Sequence, residues 1–244
     1  MKVYALTNIG KVRKDNQDAT AFEIFEKKNR AVMVVCDGMG GARAGSVASQ
    51  MAVDCFTEQL RPVFNSAKRI TDVKKILIAA AEKANEAVFD KSVTEADCRG
   101  MGTTLVAMFR DGSKYYVANI GDSRAYHISS GKAERITRDH SLVEEMVDRG
   151  TLTQEQARSH PQKNVITRAI GIATEVKCDV FEGAIKKGEF ILLCSDGLTN
   201  VVSSEELLQF FGNGAEPEAI CTGLIDLALE RGAPDNVTTA VLSV

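Results

Sequence analysis

The sequence predicts an α+β fold in which helices pack on antiparallel strands. Two long segments have apolar residues at helical spacing and stand between groups of short strand-like segments, without a regular alternation of one strand and one helix. Asp111-Gly112 separates two strand patterns at the spacing of a tight hairpin, which joins antiparallel strands. The 244 residues contain no internal repeat, low-complexity stretch or linker, so one domain is expected.

The composition argues against nucleic-acid binding and against a membrane span. The net charge is -3, aromatic residues make up 6% of the chain, and tryptophan is absent. A broad basic face and stacking platforms for bases are therefore not expected. No run of about 18 apolar residues occurs. Residues 1–19 lack the apolar region and cleavage site of a signal peptide, so a cytoplasmic location is expected.

The six cysteines show no C-x-x-C spacing, and several lie inside apolar runs. We interpret them as small buried side chains that stay reduced, rather than as a zinc site or disulfides. Cys98 differs because Glu95, Asp97 and Arg99 surround it, which predicts exposure. A redox role for Cys98 is the alternative to a structural one.

The first third of the chain predicts strands followed by a helix pair. The early strands alternate between apolar and polar residues. The stretch 31–45 begins as an apolar, mostly β-branched run and ends in Asp37-Gly38 and further glycines, which predicts a buried strand and a tight turn. The predicted strands are 1–8, 19–25 and the start of 31–45, and the predicted helices begin at Ser46, closing near Pro62, and at Thr71.

The rest of the chain predicts more strands with short helices between them. Asp111-Gly112 reads most simply as a tight turn, so an Asp-Gly pair alone is weak support for a metal site. Residues 90–100 are charged and irregular, which predicts an exposed loop. Ser203 to Glu206 form a capping box, and Pro217 opens the last helix. The other predictions are helices at 141–150 and 151–159, a loop at 160–171, and strands at 102–109, 114–129, 177–184, 189–194 and 237–244.

Five aspartates stand at strand ends or beside glycines, where a strand can present a carboxylate at a loop. Any one of them could instead be a turn residue or a helix cap. Five together favour a site for hard divalent cations, which prefer oxygen ligands, and a pair of ions needs a bridging carboxylate. Asp37 suits the bridge because it ends a buried strand beside Gly38. The five are Asp18, Asp37, Asp122, Asp196 and Asp235.

Eight segments, in order along nearly the whole chain, carry a resemblance to a known family. They are GKVRKDNQDA (10–19), VCDGMGG (35–41), GMGTT (100–104), NIGDSRAY (119–126), DHSLV (139–143), NVITRAIG (164–171), LCSDGL (193–198) and PDNVT (234–238). Together they resemble the metal-dependent protein phosphatases of the protein phosphatase 2C family, in their compact bacterial form. Cys55 and Arg61 have the Cys-x5-Arg spacing, but they fall in the helix predicted from Ser46 and not in a loop, so a thiol-based phosphatase is not supported.

The resemblance implies a four-layer αββα sandwich, in which two antiparallel β-sheets are flanked by helix pairs. Residues 1–244 would form a single catalytic domain, with a flap subdomain at about residues 141–179 beside the site. Two or three divalent ions, Mn²⁺ or Mg²⁺, would be the cofactors. The implied metal ligands are Asp37 as the bridge, Asp196 and Asp235 at the first ion, the Gly38 carbonyl and Asp18 at the second, and Asp122 with Asp196 at a third, weaker position.

The same resemblance implies a mechanism in which a metal-bridging hydroxide attacks phosphorus in line, without a phosphoenzyme. Arg13 would bind the substrate phosphate, which fits the fork geometry of a guanidinium. The catalytic group would thus be Arg13, Asp37 and Asp196. The substrates implied are phosphoserine and phosphothreonine in proteins, and a bacterial serine/threonine kinase would be the opposing enzyme. No nucleic-acid or membrane partner is expected, and a monomer suffices.

Two residues depart from the animal members of this family. Met39 stands where those members carry a histidine proposed as general acid, and Gln17 stands where they carry a glutamate near the second metal. Bacterial members commonly share both features. The proton source for the leaving group is therefore open, with His140 or a metal-bound water as candidates. The alternative for His140 is a structural histidine in a loop.

Two other functions compete with the phosphatase hypothesis. A catalytically silent member of the same fold would bind phosphoproteins without hydrolysing them, but the complete set of aspartates argues against it. A two-metal nuclease shares the carboxylate chemistry, but the net charge of -3 and the scarcity of aromatic residues disfavour it. Turnover of a phosphopeptide, of a phosphodiester, or of neither distinguishes the three.

Overall fold

The computed structural model describes residues 1–41, 43–66, 70–212 and 214–244. The strands are β1 Lys2–Asn8, β2 Asp18–Phe25, β3 Arg30–Met39, β4 Gly102–Thr103, β5 Leu105–Asp111, β6 Lys114–Ile120, β7 Arg124–Ser129, β8 Lys132–Arg135, β9 Asp179–Ala184, β10 Phe190–Cys194 and β11 Val237–Ser243. The α-helices are α1 Ala44–Asn65, α2 Val73–Thr94, α3 Leu142–Asp148, α4 Gln154–Ser159, α5 Asp196–Thr199, α6 Ser204–Leu207 and α7 Pro217–Glu230, with short 3-10 helices at Glu26–Lys28, Ala96–Cys98 and Leu208–Phe210.

Two antiparallel sheets form the centre of the molecule. One has five strands in the order β1-β11-β10-β7-β8. The other has the order β2-β3-β5-β6-β9, and the short β4 pairs with β3. Apolar side chains from both sheets meet in one cluster, which includes Met33 and Met108 from one sheet and Ile191 and Leu242 from the other. The predicted α+β fold with two packed sheets is confirmed.

Strand β3 has an unbroken apolar sequence because both of its faces are buried. Met33 and Val35 belong to the cluster between the sheets. Val32, Val34 and Cys36 belong to the cluster beneath the helices. A strand covered on both sides needs no polar alternation. This rigid strand leads to Asp37.

The helical layers differ in size on the two sides. The 22-residue helices α1 and α2 cover the β2-β3-β5-β6-β9 sheet. The 14-residue helix α7 covers the other sheet together with the short α5 and α6. The predicted capping box at Ser203 and Glu206 is present, but the α-helix it starts ends at Leu207 and continues as a 3-10 turn. The second helix on that side is therefore short.

Two local predictions were wrong. Helix α1 does not close at Pro62 but runs to Asn65. Pro62 lies in the last turn, so only three helical residues follow it. Residues 90–100 are not an open loop, because α2 continues to Thr94 and a 3-10 turn follows. That turn directs Cys98 inward, where it is 6% exposed, while its charged neighbours face solvent.

The Asp111-Gly112 pair is a hairpin turn, as predicted. Asp111 pairs with Lys114, so Gly112 and Ser113 form the two-residue loop. Gly112 has φ +64°, a left-handed conformation that suits glycine in such turns. Strand β8, by contrast, was not predicted. In the part of the chain that the structure describes, no helix has the length and apolar character needed to span a membrane.

Candidate metal centre and active site

The structure brings most of the predicted site residues to one cavity of about 390 Å³. The lining also includes residues that the sequence did not single out, among them Lys14, Thr104, Asn164 and Asn236. Asp18 is not part of the cavity wall and is buried behind it, with 9% of its surface exposed. The predicted residues in the wall are Arg13, Asp37, Gly38, Asp122, Asp196 and Asp235.

Strand register explains why Asp18 and Asp37 are neighbours. Strands β2 and β3 are antiparallel, and Asp18 lies directly opposite Asp37. Directly opposite residues point to the same face of a sheet, with Cβ atoms about 5 Å apart. Two carboxylates are thereby placed side by side at the end of the sheet. Residue 42, in the predicted glycine-rich turn beyond β3, lies outside the described residues.

Glycine is required after Asp37 because the first turn of α1 crosses the strand there. A Cβ on Gly38 would overlap the carbonyl of Gly45, and a Cβ on Gly45 would overlap the side chain of Gln17. The N–H of Gly38 donates to the carbonyl of Gln17 at 3.0 Å. Gln17, which departs from the animal members, therefore packs at the turn beside the proposed second metal position.

Thr103 and Thr104 hold the backbone of Asp37 in place. The N–H of Asp37 donates to the Thr104 hydroxyl at 2.9 Å, and its carbonyl accepts from the Thr103 hydroxyl at 2.9 Å. The N–H of Thr104 donates to the same carbonyl. The Thr104 hydroxyl is also 2.7 Å from that of Ser123, which follows Asp122. Two predicted metal ligands are thus connected through one threonine.

Asp18 is oriented by two hydroxyl groups. Its Oδ2 accepts hydrogen bonds from Ser195 at 2.8 Å and from Thr238 at 2.7 Å. Its Oδ1 is buried and has no hydrogen-bond partner among the described residues. A buried carboxylate oxygen without a donor is unfavourable unless a cation or another donor satisfies it.

Asp196 and Asp235 come from the other sheet. Asp196 follows β10, and its Oδ2 accepts from Asn200 at 3.0 Å, while its buried Oδ1 lacks a partner within the described ranges. Asp235 precedes β11, and its Oδ2 accepts from the Arg13 guanidinium at 2.8 Å. Arg13 is thus at the cavity wall, with 56% of its side chain exposed.

Asn236 connects this turn to the segment that carries Arg13. Its side-chain amide donates to the carbonyls of Ile9 at 2.9 Å and Asp15 at 3.1 Å, and its Oδ1 accepts from the N–H of Gln17 at 2.8 Å. Asn236, Thr104, Ser195 and Thr238 are functional residues that sequence reasoning did not assign. Each lies inside a segment of the family resemblance, which was the only signal that could have identified them.

The carboxylates repel one another strongly. Burial, followed by the charges of Asp18, Asp196 and Asp122, raises the pKa of Asp37 well above its ordinary value of 3.8. Burial also raises the pKa of Asp18 to about 7 and that of Asp122 to about 8, in each case with a contribution from Asp196. A cation would relieve this repulsion.

The donor set fits hard divalent ions. It offers carboxylate oxygens, two of them buried without partners, and no described cysteine or histidine lines the cavity. Among the described residues, no three His, Cys, Asp or Glu side chains form a ready-made metal cage. Mg²⁺ usually retains several waters and binds through few carboxylates, so an open arrangement suits it.

A second cavity, of about 380 Å³, adjoins the first. It shares Asp122, Asn164 and Asp196 with the first cavity. Its other walls include residues of β7, β8, α3, α4 and the segment 199–206. The proposed flap therefore borders both cavities.

The structure shows where Met39 and His140 lie relative to the two cavities. Met39 lines the first cavity. His140 is in the wall of neither cavity, and both of its ring nitrogens are within hydrogen-bond distance of protein groups. The structure therefore favours the interpretation of His140 as a structural histidine.

Comparison with known proteins gives the family. Residues 11–222 match the family model described as protein phosphatase 2C. This chain belongs to the protein phosphatase 2C family. The serine/threonine phosphatase stp of Listeria monocytogenes is 35% identical to it, over 97% of this chain and 93% of the relative.

Solved structures agree in fold. A serine/threonine phosphatase of S. agalactiae superposes with a TM-score of 0.90 at 34% identity, covering 100% of this chain and 99% of that one. The catalytic domain of the serine/threonine phosphatase PstP, crystallised in complex with two manganese ions, has a TM-score of 0.83 at 33% identity, covering 98% and 96%. The family is metal-dependent.

Proposed function

We propose that this protein phosphatase hydrolyses phosphoserine and phosphothreonine in proteins with two or three Mn²⁺ or Mg²⁺ ions held by its aspartates. The observation that supports this most directly is the cavity in which Asp37, Asp196 and Asp235 lie beside Arg13. Divalent ions, when bound, supply Lewis-acid activation of water and of the phosphate ester. The groups that would hold the ions and the substrate phosphate all belong to this chain.

The aspartates would divide the metal positions as the family resemblance implies. Asp37 would bridge two ions, with Asp196 and Asp235 at the first and with Asp18 and the Gly38 carbonyl at the second. The unpartnered oxygens of Asp18 and Asp196 support this assignment. Asp122 would contribute with Asp196 to a third position, which its place in the cavity wall supports.

Arg13 would hold the phosphate. Its guanidinium is largely exposed at the cavity, and only one of its nitrogens donates to Asp235. The remaining N–H groups can bind phosphate oxygens, for which a planar fork is well suited. Binding there would neutralise charge on the phosphoryl oxygens and orient the group.

We further propose that residues 1–244 act as one catalytic domain and that residues 141–179 are its flap. Asn164 and Ile166 of this segment line the site, which supports a role in substrate access. The partners would be phosphorylated proteins and an opposing serine/threonine kinase, with the phosphatase acting as a monomer. All six cysteines are free, which supports a reducing compartment such as the cytoplasm.

The test is hydrolysis of a phosphothreonine peptide with Mn²⁺, with excess chelator, and after metal is returned. Asp37→Asn should lower metal-dependent turnover by roughly a hundredfold or more, because it removes the charge of the bridging ligand. The matched control is Asp111→Asn, which changes an Asp-Gly pair that ends a strand outside both cavities and should retain turnover.

Near-normal rates in Asp37→Asn would refute the bridging role. Folded wild-type protein that shows no turnover with either metal would refute the hydrolase proposal and favour phosphoprotein binding without catalysis. Calorimetric titration of Mn²⁺ would then decide whether the aspartates bind metal at all.

A further inference from the structure

His140 lies where the proposed flap leaves the core, and its backbone joins two parts of the molecule. It is buried, with 5% of its surface exposed. Its N–H donates to the carbonyl of Gly121 at 3.0 Å, and its carbonyl accepts from the N–H of Thr167 at 2.7 Å. Gly121 directly precedes Asp122, and Thr167 belongs to the returning part of the flap. The backbone of His140 therefore connects the Asp122 turn with the flap.

The imidazole ring makes the same connection a second time. The N–H of Gly121 donates to Nδ1 at 3.0 Å, so Nδ1 is an acceptor and carries no proton. Nε2 is then the protonated nitrogen, and it donates to Asp179 Oδ2 at 3.0 Å. Arg168 lies 3.1 Å from Nε2 and also donates to Asp179 Oδ1 at 3.1 Å. The ring thus joins Gly121 directly to Asp179, the last residue of the proposed flap, and Asp179 in turn accepts from Arg168 of its returning part.

This arrangement leaves His140 without a proton to give to substrate. One ring nitrogen accepts from the backbone, the other donates to Asp179, and the side chain is in the wall of neither cavity. Burial lowers the pKa of His140 below its ordinary value of 6.5, which favours the neutral ring. A general acid has to reach the leaving group directly or through one water.

The Asp122 turn has little freedom to move independently of His140. Gly121 has φ +103°, and a Cβ on it would come within 2.6 Å of the Thr104 methyl group. Ser123, on the other side of Asp122, is hydrogen-bonded to Thr104, which also holds Asp37. The turn that carries Asp122 is therefore closely packed, and a displacement of His140 would be transmitted to it through the two hydrogen bonds that His140 makes with Gly121.

We propose that His140 is a positioning residue that couples the flap to the Asp122 turn, and that it does not transfer protons in the reaction. The proposal rests on the proposed function in one respect, since it takes Asp122 as a metal ligand. Through Asn164 and Ile166 the flap lines the substrate cavity. One buried side chain would thus set both the metal position at Asp122 and the wall that contacts the substrate.

Two variants separate the two hydrogen bonds of the ring. In His140→Asn the shorter side chain can accept from Gly121 but cannot reach Asp179. In His140→Gln the amide nitrogen can reach Asp179, but the acceptor at the position of Nδ1 is lost. The expected result for His140→Asn is a KM for a phosphothreonine peptide raised roughly tenfold, with Mn²⁺ affinity unchanged. For His140→Gln, calorimetric titration should show the weakest Mn²⁺ site weakened by roughly tenfold.

The role in proton transfer is tested with two small substrates, 4-nitrophenyl phosphate and phenyl phosphate. They differ mainly in how much their leaving group needs a proton. A positioning residue predicts that each variant lowers kcat by the same factor for both. A general acid predicts a loss of roughly a hundredfold or more that falls mainly on phenyl phosphate, and that outcome would overturn the proposal.

The matched control is His127→Gln. His127 also pairs with a carboxylate, Glu189, at 3.0 Å, but it lies on β7 and lines neither cavity. It should change thermal stability without changing the kinetics or the Mn²⁺ affinity. Folded His140 variants that match wild type in peptide KM and in Mn²⁺ affinity would refute the coupling. If the wild type itself has no turnover, the proposed function fails, and unchanged Mn²⁺ affinity in His140→Gln would still refute the coupling.

Discussion

At the scale of single residues, hydroxyl groups decide which carboxylate oxygens remain for other ligands. Ser195 and Thr238 both donate to Oδ2 of Asp18, so Oδ1 is the oxygen without a protein partner in the described structure. The Thr104 hydroxyl likewise holds the backbone of Asp37, by accepting a hydrogen bond from its N–H. Neutral donors orient an acidic ligand without adding a competing positive charge. Removing such supporting groups typically lowers metal affinity or activity by about 10–100-fold.

Arg13 provides a prediction at this scale. Arg13→Ala should raise KM for a phosphothreonine peptide by roughly tenfold or more, because a charge-assisted contact to the phosphate is lost. The change in kcat should be smaller. Steady-state kinetics at saturating Mn²⁺ measure both. Arg61→Ala is the control, since Arg61 is half-exposed, pairs with Glu23 and lies outside both cavities.

A different outcome would reassign Arg13. An unchanged KM together with weaker Mn²⁺ binding would mean that its main role is to hold Asp235, to which it is hydrogen-bonded at 2.8 Å.

At the scale of elements, helix α2 anchors one end of the flap. The Asn85 side chain accepts from the N–H of Gly171 at 2.8 Å and donates to the carbonyl of Ala173 at 3.0 Å. Thr103 and Ile170 exchange backbone hydrogen bonds at 3.0 and 2.8 Å. Because Thr103 is also hydrogen-bonded to Asp37, helix α2, the proposed flap and strand β3 are joined at this point.

Asn85→Ala should therefore destabilise the whole domain. Asn85 is 1% exposed, and its removal leaves the N–H of Gly171 and the carbonyl of Ala173 without their partners. The buried N–H of Gly171 is left unsatisfied, whereas Ala173 is exposed and its carbonyl can bind water, so the expected loss is about 1–3 kcal/mol in the free energy of unfolding, measurable by urea denaturation. Gln50→Ala, which removes an exposed Gln50–Asp54 contact, should change it by less than about 0.5 kcal/mol. Equal effects of the two changes would contradict the anchoring role.

At the scale of the whole molecule, the sandwich brings loops from both sheets to one end. Asp18 begins β2 opposite Asp37 in one sheet, and Asp196 and Asp235 follow β10 and precede β11 in the other. Antiparallel pairing of β10 with β11 places Cys194 opposite Thr239, so these two aspartates belong to the same edge. These carboxylates repel one another when no metal is bound. This repulsion lowers the free energy of unfolding of the metal-free protein.

This charge gives a prediction for stability against pH without metal. The folded-state pKa values of Asp18 and Asp122 are about 7 and 8, well above the 3.8 of an ordinary aspartate. A raised carboxyl pKa contributes stability that is complete below the unfolded value and is lost as pH rises through the folded value. Burial lowers the pKa of His140, which acts in the opposite direction, but that contribution is complete above its ordinary value of 6.5. Above pH 6.5 these aspartates are already ionised in the unfolded state, so the Tm in chelator should fall between about pH 6.5 and 8 and level off above pH 8.

Two comparisons test the origin of this effect. Mn²⁺ at pH 8 should raise the Tm, because it binds the folded state. Asp122→Asn should raise the Tm in chelator at pH 8 and make it less dependent on pH. A metal-free Tm that stays constant or rises between pH 6.5 and 8 would contradict the prediction.

The strands and long helices were predictable because their signals are local. The apolar run before Asp37, the helical spacing after Ser46 and the capping box at Ser203 each depend on residues within a few positions of one another. The extent of helix α1 past Pro62 and the burial of Cys98 were not predictable. In both, the packing of the helix pair on the sheet overrode the local composition.

The sequence by itself determined which residues could form the site. It placed aspartates at strand ends beside glycines, and its eight segments indicated the family. The tertiary structure alone decided how those residues are held. Ser195 and Thr238 are 177 and 220 positions away from Asp18 in the chain, and the ring of His140 meets Asp179 across 39 positions. Such contacts depend on strand register and sheet packing, which no local pattern in a single sequence records.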